Sequence, residues 1–213
     1  LRTPVAVIRA NSESLVDGAV DDKEIAQKFS NAILKNSEKL SYLLEDILNL
    51  STIESGEYNL ELAENGVSDI FKNSINSVIS NNPDLKIINN ISSDVEVICD
   101  VKALSQVIDN LIENSVKYGI SKECNEIIIN MKDQGSKVRF EIEDHGQGIP
   151  ADQRERVFER FFRIQNNNTS LKEGTGLGLS IVKNLVNLMG GSVGNEKAYP
   201  AGTIFWFTLN KKN

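Results

Sequence analysis

From Leu1 to about Glu54 the apolar residues recur at intervals of four and three, and this rhythm constrains the fold more than any other feature of the chain. Leu1, Val5, Ile8, Ser12 and Leu15 mark a first stretch. A turn signal follows at Asp17-Gly18 and Asp21-Asp22, and then Ile25, Phe29, Ile33, Asn36, Leu40, Leu43, Ile47 and Leu50 mark a longer one. A stripe with this period keeps one helix face turned toward a partner along its whole length. Two helices joined by a short turn cannot cover so long a stripe themselves. Either two hairpins pair into a four-helix bundle, or the hairpin packs on the rest of its own chain.

Ser55-Gly56 breaks the helix, and the pattern changes to mixed α and β. The expected division is therefore 1–54 and 55–213. Tyr58, Leu60 and Leu62 alternate as in a strand, and Val67 to Val78 follow a helical period that ends near Asn81-Asn82-Pro83. Strand-like runs come at Lys86–Ile91 and Val95–Cys99. Asp100 is placed to cap a helix reaching about Tyr118. Glu126–Lys132 and Lys137–Glu143 read as a hairpin, followed by a short helix near Asp152–Phe161 and another over Thr175–Met189. Strands at Ser192–Glu196 and Thr203–Leu209 close the chain. Without strict βαβ alternation, the expected class is α+β: a helical hairpin, then an α/β sandwich with helices on one sheet face.

A formal charge of −7, from 30 acidic and 23 basic residues, argues against a nucleic-acid surface, which needs clustered Lys and Arg. It leaves room for a local phosphate pocket. Cys99 and Cys124 have neither metal-ligand spacing nor the density of a disulfide scaffold, and Cys99 reads as a small buried hydrophobe. That usage suits a reducing, cytoplasmic setting. No apolar stretch reaches the roughly 20 residues of a membrane span. A chain opening on Leu1 rather than Met is expected to be part of a longer protein, with any membrane anchor or sensor upstream.

Four segments carry chemistry. In Asn110-Leu-Ile-Glu-Asn114-Ser-Val-Lys117-Tyr118, a helical period puts Asn110, Asn114, Lys117 and Tyr118 on one side and Leu104, Ile108, Leu111 and Ser115 on another. Amide oxygens suit Mg²⁺, which is usually completed by water and substrate phosphates, and an ammonium nearby neutralises phosphate charge. Taken alone, the segment also reads as a solvated helix face. Asp144-His145-Gly146-Gln147-Gly148-Ile149 follows a strand. A carboxylate there can accept from an exocyclic amine such as that of adenine, although an isolated DxGxG is more often a turn. Phe158-Glu-Arg160-Phe161-Phe162-Arg163 combines aromatic anchors with an arginine able to reach phosphate. Gly174-Thr-Gly176-Leu-Gly178-Leu179 opens a helix, whose N-terminus favours anions. It lacks both the Lys-Ser/Thr of a P-loop and the preceding strand of a dinucleotide fold. The polar stretch Gln165–Glu173 before it reads as a lid.

In their order and spacing, these segments resemble the N box, first glycine box, F box and second glycine box of the histidine kinase ATP-binding domain. That is the Bergerat fold shared with gyrase-, Hsp90- and MutL-type ATPases. Leu1-Arg-Thr-Pro4 resembles the tail of the H box, His-Glu-Leu-Arg-Thr-Pro, and Ile8–Asp22 resembles the PhoR-like branch. The chain is thus identified as a member of the bacterial sensor histidine kinases over essentially its whole length. One departure is Met189-Gly190-Gly191, where many relatives carry His-Gly-Gly.

The resemblance implies ATP and Mg²⁺ as cofactors, with Asn114 as the metal ligand and Asn110 supporting catalysis one turn earlier. Lys117 would meet the phosphates, Tyr118 would flank the nucleotide, and Asp144 would bind the adenine amine in a pocket shaped by Gly146 and Gly148. Arg163 would contact the terminal phosphates. Gly174, Gly176 and Gly178, with Leu179 after them, would let the lid close. It implies a homodimer through the hairpin, a response-regulator receiver domain as partner, and a cytoplasmic catalytic core of a membrane-anchored sensor. The acceptor histidine would lie two positions before Leu1. Thr3 would occupy the position linked to dephosphorylating the regulator. His145, the sole histidine, falls beside the adenine position and away from the reacting phosphate.

Two other readings compete. A scaffold or nucleotide-sensing pseudokinase would lack the upstream histidine. A gyrase- or Hsp90-type ATPase would carry Glu at position 110, where an amide cannot act as a base toward water.

Overall fold

The computed structural model describes residues 2–92, 95–120, 124–164 and 174–212. Leu1 and the expected lid, Gln165–Glu173, lie outside these residues. The chain divides into two compact units, Leu1–Glu57 and Tyr58–Asn213.

The first unit is a helical hairpin. Helix α1 (Arg2–Val16) gives way at Gly18, whose φ of 113° turns the chain, and a 3-10 turn over Ala19–Asp21 leads into α2 (Lys23–Glu54). The Asp22 carboxylate accepts from the N–H groups of Glu24 and Ile25 at 3.0 and 3.1 Å. Those donors have no partner inside the helix, so the cap converts an acidic turn into a helix start. Along the seam, Leu43 and Leu50 are buried, and Ile8, Leu15, Phe29, Ile33, Leu40 and Ile47 are half-buried. Val5 and Ile25 stay 51% and 42% exposed, and Leu34, Leu44 and Leu48 are exposed as well. One hairpin therefore covers only part of its apolar surface.

The second unit is an α/β sandwich, as the motif resemblance implied. Strands β1 (Ala63–Gly66) and β3 (Glu96–Cys99) form a small antiparallel ribbon. Strands β2 (Lys86–Asn89), β4 (Glu126–Asp133), β5 (Lys137–Asp144), β6 (Ser192–Lys197) and β7 (Thr203–Asn210) form the main sheet, in the order β2-β4-β5-β7-β6. β2 runs parallel to β4, and the other neighbours are antiparallel. Period-two alternation sorts the central strands. Ile127, Ile129, Val138, Phe140, Ile142, Phe205, Phe207 and Leu209 are buried, whereas Lys132, Arg139, Glu143 and Trp206 alternate with them on the opposite face.

Helices α3 (Ser68–Asn81), α4 (Val101–Asn114) and α5 (Gly178–Leu188) cover the apolar face. The Phe140 ring lies 5.3 Å from that of Phe71 on α3 and 5.1 Å from that of Phe207, tying helix to sheet at its centre. Side chains this large each contribute about 1.5–3 kcal/mol when fully buried. The α4 carboxylate cap behaves as expected, with Asp100 accepting from the Ala103 N–H at 2.9 Å. Cys99 is fully buried, and burial pushes its thiol up to about 11 despite a hydrogen bond from Asn65, in keeping with a packing role.

Three local expectations change. Tyr58–Leu62 is not a strand: Asp100 Oδ2 takes the Glu61 N–H at 2.9 Å, and the ladder forms one step later, at Ala63–Gly66. The expected helix over Asp152–Phe161 is a pair of 3-10 turns, Ala151–Gln153 and Arg156–Phe158. Finally, α4 stops being an α-helix at Asn114 and continues as a π-helical turn, Ser115–Gly119.

Candidate functional site

Asp144 ends β5 and is only 4% exposed. Its Oδ1 accepts from the Gly146 N–H at 3.0 Å and the Thr203 N–H at 3.3 Å. Burial pushes the carboxyl above the ordinary carboxylate range, against the pull of those two N–H groups, of His145 and of the Ser115 hydroxyl. Although Ser115 is near enough to exert that pull, its buried oxygen has no partner in hydrogen-bonding geometry.

Three backbone segments close around this carboxylate, each at a glycine. A Cβ on Gly119, at the end of the π-helical turn, would lie 2.2 Å from Asp144 Cβ. One on Gly146 would lie 2.4 Å from the Tyr118 carbonyl oxygen, and one on Gly202 would lie 1.9 Å from the Asp144 carbonyl oxygen. Gly148, with a φ of 75°, likewise comes against Gly202. The DxGxG loop, the tail of α4 and the β6–β7 connection are therefore interlocked around one buried acceptor.

The same α4 also meets the second glycine box. Asn110 donates through Nδ2 to the Gln106 carbonyl at 2.9 Å, and its Oδ1 lies 2.5 Å from where a Cβ on Gly178 would stand. The Tyr118 hydroxyl lies 2.9 Å from the corresponding position on Gly174. The F box joins them: Phe161, at a φ of 59°, donates its N–H to the Gly176 carbonyl at 2.9 Å, and Phe158 packs edge-on against Phe205. Asn110, Tyr118, Asp144, Gly146, Gly148, Gly174, Gly176 and Gly178 thus belong to one connected neighbourhood.

The remaining expected residues are placed as follows. Asn114 is half-buried at the last α-helical position, and Leu179 is half-buried on α5. Lys117 is exposed and pairs with Glu113 at 2.9 Å. It also lines a cavity of about 400 Å³ between α3 and α4, with Asp109, Asn81 and Asn82, to which neither Asn114 nor Asp144 contributes. Arg163 is exposed beyond the F-box aromatics, and Thr3 is exposed on α1 in the other unit. Ser115, Gly119, Gly202 and Thr203 were missed as site residues. Helical periodicity puts Ser115 on the core face of the helix. Gly202 and Thr203 become visible only once sheet register sets Thr203 opposite Asp144, and Gly119 only once the π-helical turn brings it against that residue.

The chemistry of the donor set suits Mg²⁺ with a triphosphate. Among the described residues no group of three His, Cys, Asp or Glu side chains is placed to hold a metal. A cation here would rest on the Asn114 amide oxygen and on ligand phosphates, which is the manner in which Mg²⁺ is commonly held.

Comparison with known proteins agrees with this architecture. Residues 99–213 match the family of histidine kinase-, DNA gyrase B-, and HSP90-like ATPases, and residues 1–56 match the His Kinase A (phospho-acceptor) domain. The chain is 30% identical over 214 residues to the sensor histidine kinase WalK of Bacillus subtilis, covering 100% of this chain and 35% of that protein. The solved structure of the Acinetobacter baumannii histidine kinase AdeS superposes with a TM-score of 0.80 at 22% identity, covering 100% of this chain and 98% of that one. That of the histidine kinase ThkA, in complex with the response regulator protein TrrA, gives 0.75 at 24% identity, covering 99% of this chain and 58% of that one. With both domain types present in this order, the chain belongs to the sensor histidine kinase family.

Proposed function

We propose that this chain is the catalytic core of a two-component sensor histidine kinase, binding ATP with Mg²⁺ to phosphorylate a histidine upstream of Leu1. The phosphoryl group then passes to an aspartate of a response regulator, with phosphatase activity toward that regulator through Thr3. The hairpin, 1–54, is the dimerisation and phosphotransfer element, and 55–213 is the ATP-binding domain. Their place is at the cytoplasmic side of a membrane sensor; no described helix of this chain is itself long and apolar enough to cross a membrane. One observation carries the reading: a buried carboxylate at a strand end, enclosed by the N-box tail and the first glycine box, beside an N-box amide in contact with the second.

In this reading Asp144 accepts from the adenine amine, and Tyr118 flanks the base. Asn114 holds Mg²⁺, which neutralises phosphate charge as phosphoryl transfer requires. Lys117 releases Glu113 to meet the phosphates, an exchange that is cheap because an exposed ion pair is worth about 0–1 kcal/mol. Arg163 approaches the terminal phosphates, while Gly174, Gly176, Gly178 and Leu179 form the base of the closing loop. Asn110 in place of a glutamate disfavours direct hydrolysis, since an amide does not take a proton from water.

Calorimetric titration checks the metal assignment. ATP affinity of the chain should rise with Mg²⁺, and Asn114→Ala should remove about tenfold of that gain, the scale of one ligand bond. An alanine variant with undiminished Mg²⁺ dependence counts against it. Partial coverage of the hairpin supports the dimer. Ile25→Glu, at an exposed seam position, is expected to raise the dimer dissociation constant by about tenfold or more in sedimentation equilibrium, because it places two unpaired carboxylates in an apolar seam. Unchanged self-association would leave the seam without that role.

A further inference from the structure

Four buried side-chain polar atoms among the described residues lack a hydrogen-bond partner: Ser115 Oγ, Arg154 Nε, Asn195 Oδ1 and Trp206 Nε1. Of these, only Ser115 has been placed at the carboxylate pocket. It opens the π-helical turn, is fully buried, and its hydroxyl pulls on the Asp144 carboxyl. A buried hydroxyl left unpaired costs about 1–3 kcal/mol. Native structures therefore supply a partner.

The acceptor at hand is the Asp144 carboxyl. Both of its backbone hydrogen bonds fall on Oδ1. Tethered at one oxygen only, a carboxylate can swing the other about that tether. A second tether fixes its plane. The buried Ser115 hydroxyl, in the same π-helical turn as Gly119 and pulling on the Asp144 carboxyl, is the group placed to supply it.

We infer that Ser115 is a positioning residue for base recognition: its buried hydroxyl holds Asp144 Oδ2 toward the exocyclic amine of the purine. The inference rests on the nucleotide reading of the Asp144 pocket. Ser115 is fully buried, and it would act through the carboxylate. What it governs is the preference for a base that carries an amine over one that does not.

The test compares two ligands on the 213-residue chain by calorimetry with Mg²⁺ present: ATP, and purine riboside triphosphate, which lacks the amine. Ser115→Ala removes the hydroxyl, and Ser115→Cys keeps nearly its volume with only a weak donor. In both variants ATP should bind about three- to tenfold more weakly, the worth of one net hydrogen bond. The amine-free triphosphate should stay within about twofold of its wild-type affinity. If both ligands weaken equally, Ser115 is packing and the inference falls; unchanged ATP binding overturns it too. Should Ser115→Ala not fold, the cysteine variant decides by the same comparison. A wild-type chain that binds neither triphosphate refutes the nucleotide reading itself, and this inference with it.

Discussion

Gly202→Ala is expected to abolish nucleotide binding and to remove about 3 kcal/mol or more of stability, whereas Gly135→Ala costs about 1 kcal/mol and leaves binding intact. Both glycines have positive φ, 117° and 81°, so both substitutions carry backbone strain. They differ in what the new methyl meets. At Gly135, in the β4–β5 turn, nothing lies within 4 Å. At Gly202 the methyl would stand 1.9 Å from the Asp144 carbonyl oxygen and 2.8 Å from His145 Cα. Those are backbone atoms, which no side-chain rotation can move aside. Relief requires the β6–β7 connection to lift, and Thr203 next to it supplies one of the two N–H groups on the Asp144 carboxylate. The pocket then loses its wall and half of its tether together. Urea denaturation and calorimetry on the two variants measure both effects. A Gly202→Ala chain that binds Mg-ATP like the wild type would remove the β6–β7 connection from the site.

That pair of glycines also marks where the sequence stops being readable. Local patterns were sufficient for the β4–β5 hairpin, because its inward residues alternate without interruption from Ile127 to Ile142. They were sufficient for the start of α4, because Asp100 is a cap whose partner lies three residues away. Asp144, Gly146 and Gly148 were identified because they sit together in one motif. Gly202 lies 58 positions after Asp144 and reaches it only through the antiparallel register of β5 and β7, which no local pattern encodes. The π-helical turn was hidden for a different reason. Ser115–Gly119 continues an acceptable helical period, and the wider turn accompanies a tight tertiary approach between Gly119 and Asp144. Local alternation misled once, at Tyr58–Leu62, where a side-chain acceptor on Asp100 replaced a ladder partner. Phe161 is similar: its aromatic character suggested an anchor, yet it is 63% exposed, and Phe158 does the anchoring.

Asp144→Asn should weaken Mg-ATP binding about a hundredfold while raising the melting temperature near neutral pH. The two effects have one origin. Burial holds the Asp144 carboxyl above the range of an unfolded aspartate, so the folded state binds this proton more tightly than the unfolded state does. Its stabilising contribution is fully present below the unfolded pKa and is lost as pH rises through the folded one. Above that folded pKa the ionised carboxylate is therefore a burden on the fold, which a neutral amide of the same shape removes. The asparagine oxygen can still accept from Gly146 and Thr203. Its NH₂ then faces the adenine amine, donor against donor, and two buried groups left unpaired at about 1–3 kcal/mol each give the hundredfold scale. In the wild type, ATP affinity should decline as pH falls through the Asp144 pKa, which burial raises. The asparagine variant should lack that step. Thermal unfolding and calorimetry over about pH 4.5 to 8 follow both quantities. A variant that melts higher yet keeps full ATP affinity would separate the buried charge from base recognition; one that melts lower would mean the ionised carboxylate stabilises the fold through its N–H partners more than burial opposes it.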